Sequence, residues 1–311
     1  MFLRRKLLAL ALVTIMIFSF VLTGCSSEKA ENEAVAIVNG EKILKADYDK
    51  ELDIYKKAYE AQFGPDIWAK DIGDGRTFEQ AIKEKVLENL IIEEIIIQKA
   101  EEMEIAATDE QAKKEVEKYK EVFKNEDDYK NFLKESNMTE EYLTESIKKD
   151  LTINSYKEEF LKSIAISEED AKAYFEENKN SYIQIKASHI LVNTEEQAQK
   201  ILAEVKNGKD FTELAKEKSQ DPGTASAGGD LGYFNKGDMV PEFDRVAFSL
   251  EPGEISGIVK TQFGFHIIKV EDRLDSFEEL KEIVIEDMEN QKYSNKLNEL
   301  RENAEVEIFV E

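Results

Sequence analysis

From residue 45 to about 175, apolar residues recur every three or four positions, which predicts a run of amphipathic helices. Within it Val86, Leu87, Leu90, Ile91, Ile95 and Ile96 make one face broad enough to be largely buried. Thr108 with Gln111 three positions on reads as a capping box. Ser167-Glu168-Glu169-Asp170 opens a further helix, expected to end near Asn178. Gly64-Pro65 and Gly73-Asp74-Gly75 break the early part into loops, and Trp68, the chain's single tryptophan, lies between them. At residues 183–192 the period drops to two and β-branched residues dominate, as in a strand. Helical pattern returns over 195–206 and 210–218, followed by a glycine-dense stretch over 221–237. Most of the 14 glycines fall between Gly208 and Gly264, the mark of a different kind of domain. A second strand pattern covers 265–270, and a helix pattern runs from 276 to about 303. Two short strand patterns stand apart, at 34–38 before Asn39-Gly40 and at 305–311. Short edge strands rarely survive unpaired, so these two are expected to pair. The chain ends would then form one module into which the middle zone is inserted.

The first residues carry a different signal. Arg4-Arg5-Lys6 precedes a 16-residue apolar run over 7–22, marginal for a bilayer span but natural for a signal-peptide core. The run stops at Leu22-Thr23-Gly24-Cys25, and Cys25 is the only cysteine. This boundary resembles the lipobox of bacterial lipoproteins, which implies cleavage before Cys25 and a diacylglycerol on its sulfur. Two acyl chains supply the double signal that stable anchoring needs. The alternative is an uncleaved signal anchor with an incidental cysteine. Removing residues 1–24 takes away three cations and no anion, so lipid rather than charge would hold the remainder at an anionic membrane. Residues 26–33 are polar and aperiodic, a tether.

Charge and composition narrow the chemistry. Lys+Arg number 42 and Asp+Glu 67, a formal charge of −25, which argues against a nucleic-acid binder. One cysteine excludes an internal disulfide framework and a cysteine-cluster metal site. Only two histidines occur, His189 and His266, and both fall in the strand patterns of the middle zone. Apolar neighbours flank each, so both rings can enter one interior and hydrogen-bond to each other. A two-histidine metal site is the competing reading, but no third ligand stands at diagnostic spacing, so no metal is expected.

Lys186-Ala187-Ser188-His189-Ile190-Leu191-Val192 resembles the opening strand of the parvulin family of peptidyl-prolyl isomerases. Gly229-Asp230-Leu231-Gly232-Tyr233-Phe234 and Gly237-Asp238-Met239-Val240-Pro241-Glu242-Phe243 follow in the family's order. Thr261-Gln262-Phe263-Gly264-Phe265-His266-Ile267-Ile268 resembles its last strand. The layout as a whole resembles the PrsA-type foldase lipoproteins of Gram-positive bacteria, and its helical parts resemble the SurA chaperone module in layout alone. The resemblance implies an α+β fold, a parvulin-like α/β domain inserted in a mostly helical chaperone module. Its segments would be a signal peptide (1–24), a lipidated tether (25–33), a helical module (34–182), the isomerase domain (183–273) and a closing helix and strand (274–311).

For the site, the resemblance implies catalytic roles for His189, Asp221 and His266, and substrate contacts from Leu231, Met239, Phe243, Phe263 and Thr261. Met239 and Phe243 are four apart on a predicted helical turn and so are expected to share a face. Without the resemblance, each apolar residue reads as ordinary core. Asp221 has two readings, an electrostatic carboxylate or the first residue of an Asp-Pro-Gly turn. Phe263 stands where the family is often polar, which bears on substrate preference. Gly228-Gly229 lacks the Lys-Ser/Thr of a phosphate loop. Prolyl isomerisation needs no cofactor, nucleophile or metal, and none is expected. The partners implied are unfolded or newly secreted proline-containing polypeptides and a membrane reached through Cys25, with no nucleic acid; a homodimer is left open. Two functions remain: a lipid-anchored isomerase on the extracytoplasmic face of the bacterial membrane that assists folding of secreted proteins, or a lipid-anchored binding chaperone whose isomerase domain is weak or inactive.

Overall fold

The computed structural model describes residues 33–136 and 138–310. The signal peptide, Cys25 and most of the tether therefore lie outside the described residues. The described residues divide into two compact units, 33–99 with 301–310, and the rest of 100–300.

The first unit is built on a small antiparallel sheet. Strands β1 (Ala34–Val38) and β2 (Glu41–Leu44) form a hairpin whose two-residue turn is Asn39-Gly40. Both turn residues have positive φ, 50° and 96°, the twist that a two-residue hairpin requires and that Asn-Gly adopts at little cost. Strand β7 (Val306–Ile308) pairs antiparallel on the other side of β1, giving the order β2-β1-β7. The first and last strands of the described residues thus meet, as their stray strand patterns suggest. Helix α1 (Lys45–Phe63) follows β2, and a loop holding the 3-10 turn Pro65–Ala69 leads to α2 (Phe78–Glu102). The broad apolar face of α2 is buried, with Val86, Ile91, Ile95 and Ile96 nearly inaccessible.

The second unit opens with four helices, α3 (Asp109–Lys120), α4 (Glu126–Glu135), α5 (Glu140–Ser163) and α6 (Glu168–Tyr182). Thr108 and Gln111 form the expected capping box, and Ser167 accepts from the Asp170 amide to open α6. Helix α6 continues four residues past Asn178, because Phe175 and Tyr182 are buried against Phe277, Leu280 and Val284 of α10 (Phe277–Asn303). The hydroxyl of Tyr182 adds a hydrogen bond to Asp287.

Between α6 and α10 lies a four-stranded antiparallel sheet, order β4-β3-β6-β5. Its strands are β3 (Gln184–Val192), β4 (Asp230–Asn235), β5 (Val259–Thr261) and β6 (Gly264–Leu274). Strand alternation sorts the side chains to two faces. Ile190, Val192 and Ile267 pack under α7 (Glu195–Lys206) and α8 (Phe211–Lys218). Ile185, Ala187, Ile268 and Val270 pack under α9 (Pro241–Ala247). Strands β4 and β5 and helix α9 lie in segments where glycine, short length and a mid-sequence proline obscure any period.

The compact units do not follow the expected segment edges at 182/183 and 273/274. The divisions fall inside α2 and α10, and the helices α3 to α6 belong to the same unit as the sheet. The packing of α6 on the first turns of α10 is the physical reason at the base of the sheet.

Candidate active site

Alternation places His189 of β3 and His266 of β6 on the face toward α9, in line with Ala187 and Ile268. His189 pairs across the sheet with Ile268, and His266 with Leu191, so the two rings are diagonal neighbours on one face. Their Nδ1 atoms are 3.1 Å apart and the rings stack at 22° with centroids at 5.4 Å. Both are buried.

The hydrogen bonds continue outward from both rings. His189 Nε2 lies 2.9 Å from Asp221 Oδ2 and 3.1 Å from Thr224 Oγ1. The Thr224 hydroxyl also donates a short hydrogen bond to the same Asp221 oxygen. At the other end, Thr261 Oγ1 lies 2.8 Å from His266 Nε2 and accepts from the Phe263 amide at 3.1 Å. One proton assignment satisfies every partner. The Thr261 hydroxyl donates to His266 Nε2, His266 Nδ1–H donates to His189 Nδ1, and His189 Nε2–H donates to the Asp221 carboxylate.

The electrostatics agree with that assignment. Burial alone would raise the pKa of Asp221, but hydrogen bonds from Thr224, His189 and the Gly223 amide outweigh it and lower it to about 2. Burial, and then the neighbouring His189, lower His266 to about 4. At neutral pH the site therefore presents a fixed anion at Asp221 and a neutral imidazole at His266.

The loop that carries Asp221 is stapled to β3. The Gln220 amide donates to the Leu191 carbonyl at 2.7 Å, and the Leu191 amide donates to Ser219 Oγ at 3.2 Å. Asp221 Oδ1 accepts from the Gly223 amide at 3.3 Å, so the residue holds its own turn as well as His189. The turn reading of Asp221 therefore holds, and the same carboxylate also lies against His189. Gly229 has φ of +83° and its carbonyl accepts from the His189 amide at 2.9 Å. A Cβ there would lie 2.1 Å from the His189 carbonyl oxygen, so only glycine permits this approach.

The apolar side of the site differs in one respect from expectation. Helix α9 starts at Pro241, and Val240 before it is extended, so Met239 precedes the helix and shares no helical face with Phe243. The two meet instead because the loop folds back: the Gly237 amide donates to Asp244 Oδ2 at 2.8 Å, and Met239 packs on the same cluster as Phe243 and Leu231. Phe243 is 3% exposed and presents its ring edge-on to both imidazoles, at 5.8 Å and 5.4 Å. Leu231 and Met239 are half-buried, and Phe263, at the tip of the β5–β6 hairpin, is 60% exposed. Thr261, grouped with the substrate contacts from sequence, is buried with its hydroxyl on His266, which makes it a positioning residue. Thr224 and Asp244 went unnoticed in the sequence. The Asp-Pro-Gly-Thr spacing was the available signal for Thr224, since a turn opened by Asp221 returns the fourth residue to the first. Among the described residues no group of three or more His, Cys, Asp or Glu side chains is arranged to hold a metal ion.

The chain is similar to known proteins along most of its length. Residues 172–274 match the PPIC-type peptidyl-prolyl isomerase domain, and residues 2–157 match the SurA-like N-terminal domain. The foldase protein PrsA of Caldanaerobacter subterraneus subsp. tengcongensis is 36% identical over 99% of this chain and 97% of its own length. The chain belongs to the PrsA foldase family. The PrsA protein of Clostridium botulinum (strain Hall) is 31% identical over 98% of this chain and 97% of its own. A crystal structure of the peptidylprolyl isomerase PrsA from Bacillus anthracis is 32% identical, covering 70% of this chain and 94% of that one, with a TM-score of 0.36. As in other members of the PrsA family, the chain joins a parvulin-type peptidyl-prolyl cis–trans isomerase domain to a SurA-like helical module.

Proposed function

We propose that the chain is a lipid-anchored foldase on the extracytoplasmic face of a bacterial membrane, isomerising X–Pro bonds at the His189–His266–Asp221 site and holding unfolded secreted clients on its helical parts. The observation that carries the isomerase reading is the unbroken hydrogen-bond chain from Thr261 through both imidazoles to Asp221, roofed by Phe243.

The chemistry follows from amide resonance. Rotation about a peptide bond meets a barrier of about 18–20 kcal/mol, and uncatalysed prolyl isomerisation takes about 10–100 s. Twisting removes the double-bond character and leaves the carbonyl carbon more positive. The half-exposed Asp221 carboxylate is placed to favour that state, and the buried imidazoles hold it in position rather than attack. Leu231, Met239 and Phe263 offer the accessible apolar surface for the proline ring and the residues beside it. A protease-coupled isomerisation assay on the full chain tests this. Asp221→Asn keeps shape and removes charge, so a large loss of kcat/KM at unchanged Tm is expected; unchanged activity reduces Asp221 to a turn residue.

Anchoring rests on the Leu22-Thr23-Gly24-Cys25 sequence. Cys25→Ser should abolish incorporation of labelled fatty acid and leave the signal uncleaved or the protein shed. A mutant that still carries label removes Cys25 and its lipobox as the anchor from this reading. A second reading, a client-holding chaperone with weak isomerase activity, is favoured by one observation: Phe243 is almost fully covered, which leaves little open depth beside the histidines.

A further inference from the structure

Helices α1 and α2 are joined by a loop far longer than a helix hairpin needs, and its residues are spent on seating Trp68. Helix–helix connections usually take about 2–8 residues, whereas this one runs from Gly64 to Thr77 and contains the 3-10 turn Pro65–Ala69. The turn places Trp68 beside Phe78, ring centroids 5.5 Å apart, and edge-on to Tyr59 at 6.2 Å. The indole N–H donates to Glu60 at 3.0 Å, which fixes the plane of the ring. Beside it opens a cleft of about 570 Å³. Leu52, Trp68 and Ile82 give it an apolar lining. Four carboxylates edge it, Asp49, Asp53, Glu60 and Glu79, against two lysines, Lys56 and Lys83. Three of those acids form exposed ion pairs within one helix, Asp49 with Lys45, Asp53 with Lys57 and Glu79 with Lys83. Pairs of this kind contribute about 0–1 kcal/mol and exchange readily for another cation.

We propose that this cleft is a binding site for extended polypeptide segments in which a large apolar side chain stands next to a lysine or arginine. The apolar side chain lies on Leu52, Ile82 and the face of Trp68, and the cation meets the excess of carboxylates around them. The proposal deepens the client-holding half of the function given above and rests on it. It assigns that task a place and a preference: cationic, apolar stretches, drawn in by a chain of net charge −25.

Trp68 is the only tryptophan, so its emission reports the cleft alone. The full chain is titrated with an unstructured peptide containing phenylalanine and lysine but neither proline nor tryptophan, so that a proline site is not engaged. The same peptide with glutamate for lysine, and with serine for phenylalanine, gives the controls. A saturable blue shift with the Phe/Lys peptide is expected, at least tenfold weaker with Phe/Glu, absent with the serine peptide, and weakened by salt. Glu60→Gln keeps the acceptor for the indole and removes one charge; it should weaken the Phe/Lys peptide several-fold and leave isomerisation of a short proline peptide unchanged. No saturable shift, or equal affinity for the lysine and glutamate peptides, overturns the proposal. In that event, suppression of client aggregation by the wild-type chain separates the two levels: if it persists, only the cleft is wrongly assigned, and if it is lacking, the client-holding reading fails as well.

Discussion

The sheet site and the α1–α2 region manage polar groups in opposite ways. Around His189 and His266, each ring nitrogen has a partner of definite geometry and the network ends on a carboxylate. Along α1 and α2, charges sit in exposed ion pairs such as Lys45–Asp49 and Lys83–Glu79, while aromatic rings cluster beside them. Buried, satisfied networks are stiff, and losing one member strands the others. Exposed pairs are individually dispensable. The first arrangement suits a task that needs one geometry, the second a surface that must accept many sequences.

The sharpest way to break this contrast is at the shared wall of the site. Phe243→Ala should cost about 3–5 kcal/mol in denaturant unfolding and lower isomerase activity. A loss under 1 kcal/mol would mean that the ring is not the roof of a packed site. Next come the histidines. His189→Leu and His266→Leu should each cost about 1–3 kcal/mol, because each strands a buried nitrogen on its partner. The double mutant should lose less than the two singles added, and strict additivity would disprove the coupling.

Acid sharpens the comparison further. An unfolded histidine takes up its proton near 6.5, whereas folded His266 does so only near 4. The unfolded state therefore binds more protons between those values, and stability falls as pH drops from 6.5 to 4, by at most about 1.4 kcal/mol per pH unit. Asp221 acts lower: its contribution is complete above its ordinary value of 3.8 and is lost as pH falls toward 2. A pH series of unfolding curves should show the upper phase vanish in His266→Leu and the lower one in Asp221→Asn. The smallest effect belongs to the helices. Glu88→Gln removes the charge facing Arg301 and should shift stability by only about 0–1 kcal/mol. A larger loss would show that this helical surface also depends on fixed charge geometry.

Sequence pattern made the long elements plain and left the short ones dark. The broad face of α2 and the two central strands rest on many residues in phase, and they stand where the pattern put them, as does the capping box at Thr108. Strands β4 and β5 and helix α9 are three to seven residues long, too short for a period to declare itself. The site split in the same way. His189 and His266 were conspicuous because the chain has no other histidine, and strand alternation put them on one face. Asp244 acts through a hydrogen bond that no spacing of common residue types singles out, and Thr224 is announced only by the Asp-Pro-Gly turn before it. Met239 was placed on a helix because four-residue spacing suits one; Pro241, which favours the first turn of a helix, marked the true start.

The pairing of β1 with β7 also sets an order of events during synthesis. Asn39 and Glu305 hydrogen-bond across 266 positions of sequence. The middle strand of that sheet has to wait until residues 306–308 have been made, whereas every strand of the four-stranded sheet lies between 184 and 274. Closing so long a loop is slow, and segments complete in themselves fold first. Strand β1 is therefore among the last elements to mature, and until residue 308 emerges Ala36, Ile37 and Val38 remain without their partner strand β7. A chain stalled or cut before residue 306 would carry a formed isomerase domain and an open β1 edge, the kind of surface that other chains pair with.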